Sequence, residues 1–169
     1  TPEVLNQFAL HYETGNPIPK ELVKKIKNAE RFNQGFSTTE FLASALVDLK
    51  LHSLVNPGNL DPDAFERQTL VDLGMPDELP MRHRTPQFGH TFSGEGYAAG
   101  YYSYLWADAL TADAWEAFLE GKGAYDPAIA KRFYDDVLSV GNTIDPAEGY
   151  RKFRGRDVDT NALMRDRGF

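Results

Sequence analysis

Apolar residues recur at helical spacing along almost the whole chain, and no strand-length run alternates apolar with polar, which restricts the fold to the all-α class. Thr1-Pro2-Glu3 is a helix start: a capping residue, proline at the first helical position, and an acid at the positive end of the dipole. Leu5, Phe8, Ala9 and Tyr12 follow at helical intervals until Thr14-Gly15-Asn16-Pro17 ends the pattern. Pro19 to Phe32 gathers Leu22, Val23, Ile26 and Ala29 on one face and Lys20, Lys24, Lys25 and Lys27 on the other, which reads as a solvated face. Ser37-Thr38-Thr39-Glu40 has the capping-box pattern and is expected to open a core helix through about Val55, with Phe41, Leu42, Ala45, Leu46 and Leu49 inward. Asp61-Pro62 caps a helix to about Leu73 and Asp126-Pro127 one to about Val140. Asp145-Pro146 opens a short helix bearing Tyr150 and Phe153, and a last helical stretch covers Thr160 to Arg167.

A chain of 169 residues is one ordinary domain's worth and buries roughly 70% of its extended-chain surface. No apolar run approaches the roughly 20 residues needed to cross a bilayer, so a membrane role is not expected. The net charge of −7 argues against nucleic acid as a partner. Without cysteine there is no disulfide, thiolate nucleophile or Cys-ligated metal. That is compatible with the cytoplasm, the expected compartment, and with the periplasm. The first residue is threonine, so the chain is expected to be processed, trimmed or cut from something longer.

Periodicity fails from Gly74 to Gly96, where Pro76, Pro80, Pro86, Gly89, Gly94 and Gly96 punctuate a loop of more than twenty residues. A short extended piece is expected near Gln87 to Phe92. Helical pattern is expected again from Tyr97 to about Glu120, with Tyr102, Leu105, Trp106 and Ala109 as core, and Trp115 and Phe118 likewise. The segment RHRTPQFGHTFSGEGYAAGYYSYLW (82–106) holds two histidines and four of the chain's eight tyrosines. Tyr97, Tyr101 and Tyr104 would share one face of a helix opened by Tyr97, with Gly100 leaving that face uncrowded. With His90 in the preceding loop they form a set of donors able to stabilise a developing oxyanion or to bind a peptide backbone. A plain core or interface face is the competing reading. Arg82, His83 and Arg84 read two ways as well: as a receptor for a substrate carboxylate, whose geometry arginine matches, or as a salt-bridged loop. His11 and His52 sit among apolar helix positions and read as structural. No HExxH, P-loop, GxGxxG or GxSxG is present, so the chain displays no complete catalytic set.

The run FGHTFSGEGYAAGYYSYLWADALTADAWEAF (88–118) resembles the carboxyl-terminal part of zinc metallopeptidases of the thimet oligopeptidase and neurolysin family, most of all its peptidyl-dipeptidase (Dcp-like) branch. The likeness extends over residues 3–36 and 138–169. It implies a largely helical, two-lobed peptidase with a deep channel. Zinc would be held by an HExxH motif and a downstream glutamate, all upstream of Thr1. The chain would then be the C-terminal segment of the catalytic domain, binding no zinc at an HExxH site of its own and inactive alone. Its partners would be short peptide substrates and the remaining N-terminal part of the same peptidase. The resemblance assigns Tyr104 and Tyr101 to oxyanion stabilisation. It assigns His90, Tyr97, Gly94 and Gly96 to substrate binding, the glycines within a strap over the cleft. Arg82 or Arg84 would hold the terminal carboxylate that release of dipeptides requires. The alternative is a stand-alone, non-catalytic helical peptide-binding module or a degenerate paralogue.

Overall fold

The computed structural model describes all residues, Thr1–Phe169, and is all-α. Nine α-helices follow in order: α1 (Pro2–Phe8), α2 (Lys20–Glu30), α3 (Gln34–His52), α4 (Pro62–Asp72), α5 (Gly89–Phe92), α6 (Ser103–Glu120), α7 (Pro127–Phe133), α8 (Pro146–Arg154) and α9 (Asn161–Arg167). The one β-type pairing is an isolated bridge between Leu10 and Pro17. No helix is long and apolar enough to cross a membrane. The chain divides into two compact units, Asn33–Ala107 and Thr1–Phe32 with Asp108–Phe169.

In the unit of residues 33–107, α3 is the central element. It begins at Gln34, three residues before the expected capping box, because Asn33 takes a left-handed conformation (φ 58°) and turns the chain into the helix. Ser37 therefore lies inside the helix rather than at its cap. The buried residues of α3 are Ala43, Ser44, Ala45, Val47 and Asp48, while Leu46 is exposed. Ala43, Val47 and Met81 form the core, with Leu70 and Met75 packed against them. The start of α4 follows the sequence: Asp61 accepts from the amides of Asp63 (3.0 Å) and Ala64 (3.1 Å), satisfying two otherwise orphaned donors. The expected long loop is largely ordered into single turns, a 3₁₀ turn at Thr85–Gln87, α5, and a 3₁₀ turn at Glu95–Tyr97. The extended piece expected at Gln87 to Phe92 is thus helical. The buried carboxylate of Glu66 on α4 anchors this stretch, accepting from the Thr85 amide (2.7 Å) and hydroxyl (2.8 Å) and from the Arg84 guanidinium.

In the other unit, Ala114, Ala117 and Phe153 form a core lined by Phe118, Ile129, Phe133, Val137 and Tyr150. The Asp126 and Asp145 caps form as expected, onto Ala128 (2.9 Å) and Ala147 (2.7 Å). After Phe133 the helix widens into a π turn over Tyr134–Leu138. Gly149 on α8 meets this turn so closely that a Cβ would lie 2.5 Å from the Asp136 carbonyl oxygen. The buried Asp113 on α6 accepts from Arg154 (3.0 Å), Arg156 (2.6 Å) and Tyr150 (2.6 Å). The α2 lysines are exposed, as expected.

The expected apolar face of α6 is only partly interior. Ala109 is buried, but Tyr102 and Trp106 are each 50% exposed and Trp115 is 42% exposed.

Candidate functional site

The four aromatic residues singled out by the motif do come together, though not on one helix. Tyr97 closes a 3₁₀ turn, Ala98 to Tyr102 form an irregular turn, and only Tyr104 lies in α6. Ala99 adopts φ 57°, a region that disfavours a Cβ. Gly100 donates to the Tyr97 carbonyl (3.0 Å), and a Cβ at Gly100 would sit 3.1 Å from that oxygen, so the chain doubles back most easily with glycine there. This turn, rather than helical spacing, brings the phenols to one place.

His90, on the short α5, stacks on Tyr97 with ring centres 4.7 Å apart and an angle of 18°. Its Nε2 lies 3.1 Å from the Tyr104 hydroxyl. Tyr104 meets Tyr101 edge-on at 5.5 Å. Tyr101 is nearly buried, stacked on Phe41 at 4.9 Å and edge-on to Phe88 at 4.9 Å. Burial pushes the Tyr101 phenol above its ordinary pKa, an effect partly offset by the positive charge of Arg82. At neutral pH Tyr101 is therefore a neutral O–H donor. Tyr97 and Tyr104 are exposed (62% and 49%), so the cluster presents two accessible rings and one sheltered one.

Chemically, this is an arrangement of donors. With a proton on Nε2, His90 donates to the Tyr104 oxygen and leaves the phenolic hydrogen free to point at an external acceptor. Gly94 and Gly96 are exposed, and a Cβ at either would meet nothing within 4 Å. Their backbone conformations do not demand glycine, and the missing side chains leave the outside of the loop open.

The two arginines separate. Arg84 binds Asp63 through Nη2 (2.6 Å) and Glu66 through Nε, which fits the salt-bridged reading. Arg82 is exposed and close enough to Tyr101 for its charge to act on the phenol. His83, between them, stacks on Phe88 at 4.5 Å. His11 lies exposed beyond the end of α1 at Phe8 rather than within a helix, and accepts from the amides of Glu13 (3.3 Å) and Thr14 (3.4 Å) in the turn that follows.

The residue that sequence reading passed over is Asp48. Its buried carboxylate accepts from the amides of Ala99 (3.1 Å) and Tyr101 (3.0 Å), and His52 Nδ1 lies 2.8 Å from Oδ1. The available signal was an acid inside the apolar run LVDLKL, where only a paired carboxylate is tolerated.

No group of three or more His, Cys, Asp or Glu side chains is arranged to hold a metal. His90 is engaged with Tyr104 and His52 with Asp48, and the set does not fit a zinc centre.

Comparison with known proteins places this geometry in context. The chain matches the family model described as Peptidase family M3 over residues 1–169. It is 38% identical over 170 residues to dipeptidyl carboxypeptidase of Escherichia coli (strain K12), which covers 99% of this chain and 24% of that protein. It is 38% identical over 171 residues to oligopeptidase A of Salmonella typhimurium, again covering 99% and 24%. Saccharolysin of Saccharomyces cerevisiae is 29% identical over 170 residues, covering 98% of this chain and 23% of that protein. The chain thus spans about a quarter of the length of these relatives.

Proposed function

The chain belongs to peptidase family M3, and on that premise we propose that it is the substrate-binding and transition-state-stabilising part of a peptidase that releases dipeptides from the free carboxyl ends of short peptides. The observation that carries this reading is the convergence of His90, Tyr101 and Tyr104, with His90 Nε2 3.1 Å from the Tyr104 hydroxyl. A peptide carbonyl becomes an oxyanion when the bond is attacked, and donors already in place stabilise that charge more than they stabilise the ground state. Tyr104, oriented by His90, is the first such donor, and Tyr101, kept protonated by its burial, is the second. Tyr97 and the open backbone at Gly94 and Gly96 receive the substrate main chain. Arg82 receives the terminal carboxylate, because the Arg84 guanidinium is already committed to Glu66 and Asp63.

The family is zinc-dependent in general, and this chain's side chains do not form a zinc site. Zinc supplies the activation of water in such peptidases. We assign its ligands and the general base to the remaining N-terminal part of the peptidase, the partner implied by the share of its relatives that the chain spans. The test is to assay dipeptide release by the 169-residue chain alone and by the full-length peptidase. The expected result is chelator-sensitive release by the full-length protein and none by the chain alone. Chelator-sensitive cleavage by the isolated chain would overturn the assignment.

A further inference from the structure

We propose that Asp48, seconded by His52, is the positioning residue that fixes the tyrosine cluster for reaction; the inference rests on the reading of that cluster as the transition-state donor set. Within the turn after Tyr97, backbone carbonyls satisfy the amides of Ala98, Gly100 and Ser103. Ala98 donates to Glu95 (3.3 Å), Gly100 to Tyr97 (3.0 Å) and Ser103 to Gly100 (3.0 Å). The amides of Ala99 and Tyr101 have no backbone acceptor. They point instead at the two oxygens of one carboxylate, Ala99 to Oδ1 (3.1 Å) and Tyr101 to Oδ2 (3.0 Å) of Asp48. Asp48 lies on α3, is 1% exposed, and is separated from these residues by 51 and 53 positions.

The turn does not hold itself in this shape. Ala99 at φ 57° occupies a conformation that costs an L-residue free energy, and such a conformation persists only where its surroundings over-determine it. Asp48 supplies that determination at two successive odd positions. It thereby sets the backbone from which the Tyr101 ring is sent between Phe41 and Phe88 and from which α6 starts, carrying Tyr104. His52 completes the fixture. Its Nδ1 lies 2.8 Å from Asp48 Oδ1, 2.9 Å from the Asp48 carbonyl oxygen and 3.3 Å from the Ala99 amide nitrogen. Its ring stacks on Phe92 at 5.4 Å and 13°. Phe92 belongs to α5, the turn that carries His90. One Asp–His pair on α3 therefore braces both sides of the His90–Tyr104 contact, the tyrosine side through amides and the histidine side through ring stacking.

The chemistry requires a carboxylate. Two N–H donors approach one side chain, and a carboxylate offers an acceptor oxygen to each. An asparagine of the same size offers one oxygen and one NH2, which opposes an amide hydrogen.

The experiment is a cycle in the full-length peptidase: Asp48→Asn, Tyr104→Phe and the double variant, each measured for kcat and KM. Misplacing catalytic donors by a fraction of an ångström is expected to lower kcat of Asp48→Asn by about ten- to a hundredfold, with KM changed far less. The double variant is expected to fall short of the product of the two single losses, because the part of the Asp48→Asn loss that acts through Tyr104 cannot be lost twice, while the part that acts through Tyr101 remains. If the two losses multiply, Asp48 acts independently of the tyrosine and the positioning role is overturned, while the site reading stands. If Tyr104→Phe leaves kcat unchanged, it is the site reading that fails. A second measurement needs no variant: amide exchange of Ala99 and Tyr101 in the unaltered full-length enzyme. Protection comparable to the interior amides of α3 is expected, and exchange at exposed-loop rates would overturn the inference even should Asp48→Asn fail to fold.

Discussion

Asp113→Ala removes the acceptor at the centre of a buried ion cluster. Asp113 is fully buried and Arg154 is 3% exposed, so neither can recover its solvation in place. The substitution leaves Arg154 with one carboxylate partner, Glu120 (2.9 Å), which is itself largely exposed. It also frees Arg156, which is 42% exposed and can turn to water, and deprives the Tyr150 hydroxyl of a 2.6 Å partner. Breaking a buried pair by deleting one member costs about 3–5 kcal/mol. The partial exposure of Arg156 and the retention of Glu120 put the expected loss near the lower figure, about 3 kcal/mol. That is a large part of the roughly 5–15 kcal/mol typical of a whole domain. Equilibrium urea unfolding of the chain, followed by far-ultraviolet circular dichroism, measures it as a fall in midpoint at unchanged slope. Burial pushes the Asp113 carboxyl up, but the hydrogen bonds from Arg156, Arg154 and Tyr150 outweigh that and hold it well below the usual carboxylate range. A carboxyl whose folded pKa is depressed contributes stability that is fully present above its unfolded pKa, near 3.9, and that is lost as pH falls below it. The difference between wild type and Asp113→Ala is therefore expected to be flat from pH 7 to 5 and to shrink below pH 4. A loss under about 1 kcal/mol, or a difference that grows on acidification, would refute the reasoning.

Arg82→Ala in the full-length peptidase is expected to raise KM about tenfold or more for peptides with a free carboxyl end, while amidated peptides lose nothing; steady-state kinetics on matched pairs checks it. Trp106→Ala in the isolated chain is expected to cost about 2–3 kcal/mol in urea unfolding, less than a fully buried tryptophan would, because half of the residue is already in water.

The parts of this structure that local chemistry decides were legible in the sequence. The Asp61, Asp126 and Asp145 caps sit next to the amides that they accept from, so their helices could be read within a few residues. Ser37-Thr38-Thr39-Glu40 carries the same kind of local signal, yet α3 starts earlier because Asn33 turns the chain first. The apolar face of α6 was read as interior from spacing alone, and spacing does not say whether anything covers a face; Tyr102 and Trp106 remain half in water. The membership of the His90–Tyr104 cluster was legible from the motif, but its geometry was not. Helical spacing was expected to align the phenols, whereas a turn with Ala99 at positive φ gathers them. The acids that hold the fold and the turn escaped notice for one reason. Asp48, Glu66 and Asp113 meet partners 51, 19 and 43 residues away, and a sequence read by local period shows only that each acid lies where it needs one.

The central claim is that the Tyr104 hydroxyl stabilises the transition state for peptide cleavage, and the most direct measurement is kcat of Tyr104→Phe in the full-length peptidase, which deletes one oxygen and keeps the ring that contacts Phe41 and Tyr101. Loss of one oxyanion donor predicts a fall in kcat of about a hundred- to a thousandfold with KM changed far less. An unchanged kcat, or a loss confined to KM, would contradict the account.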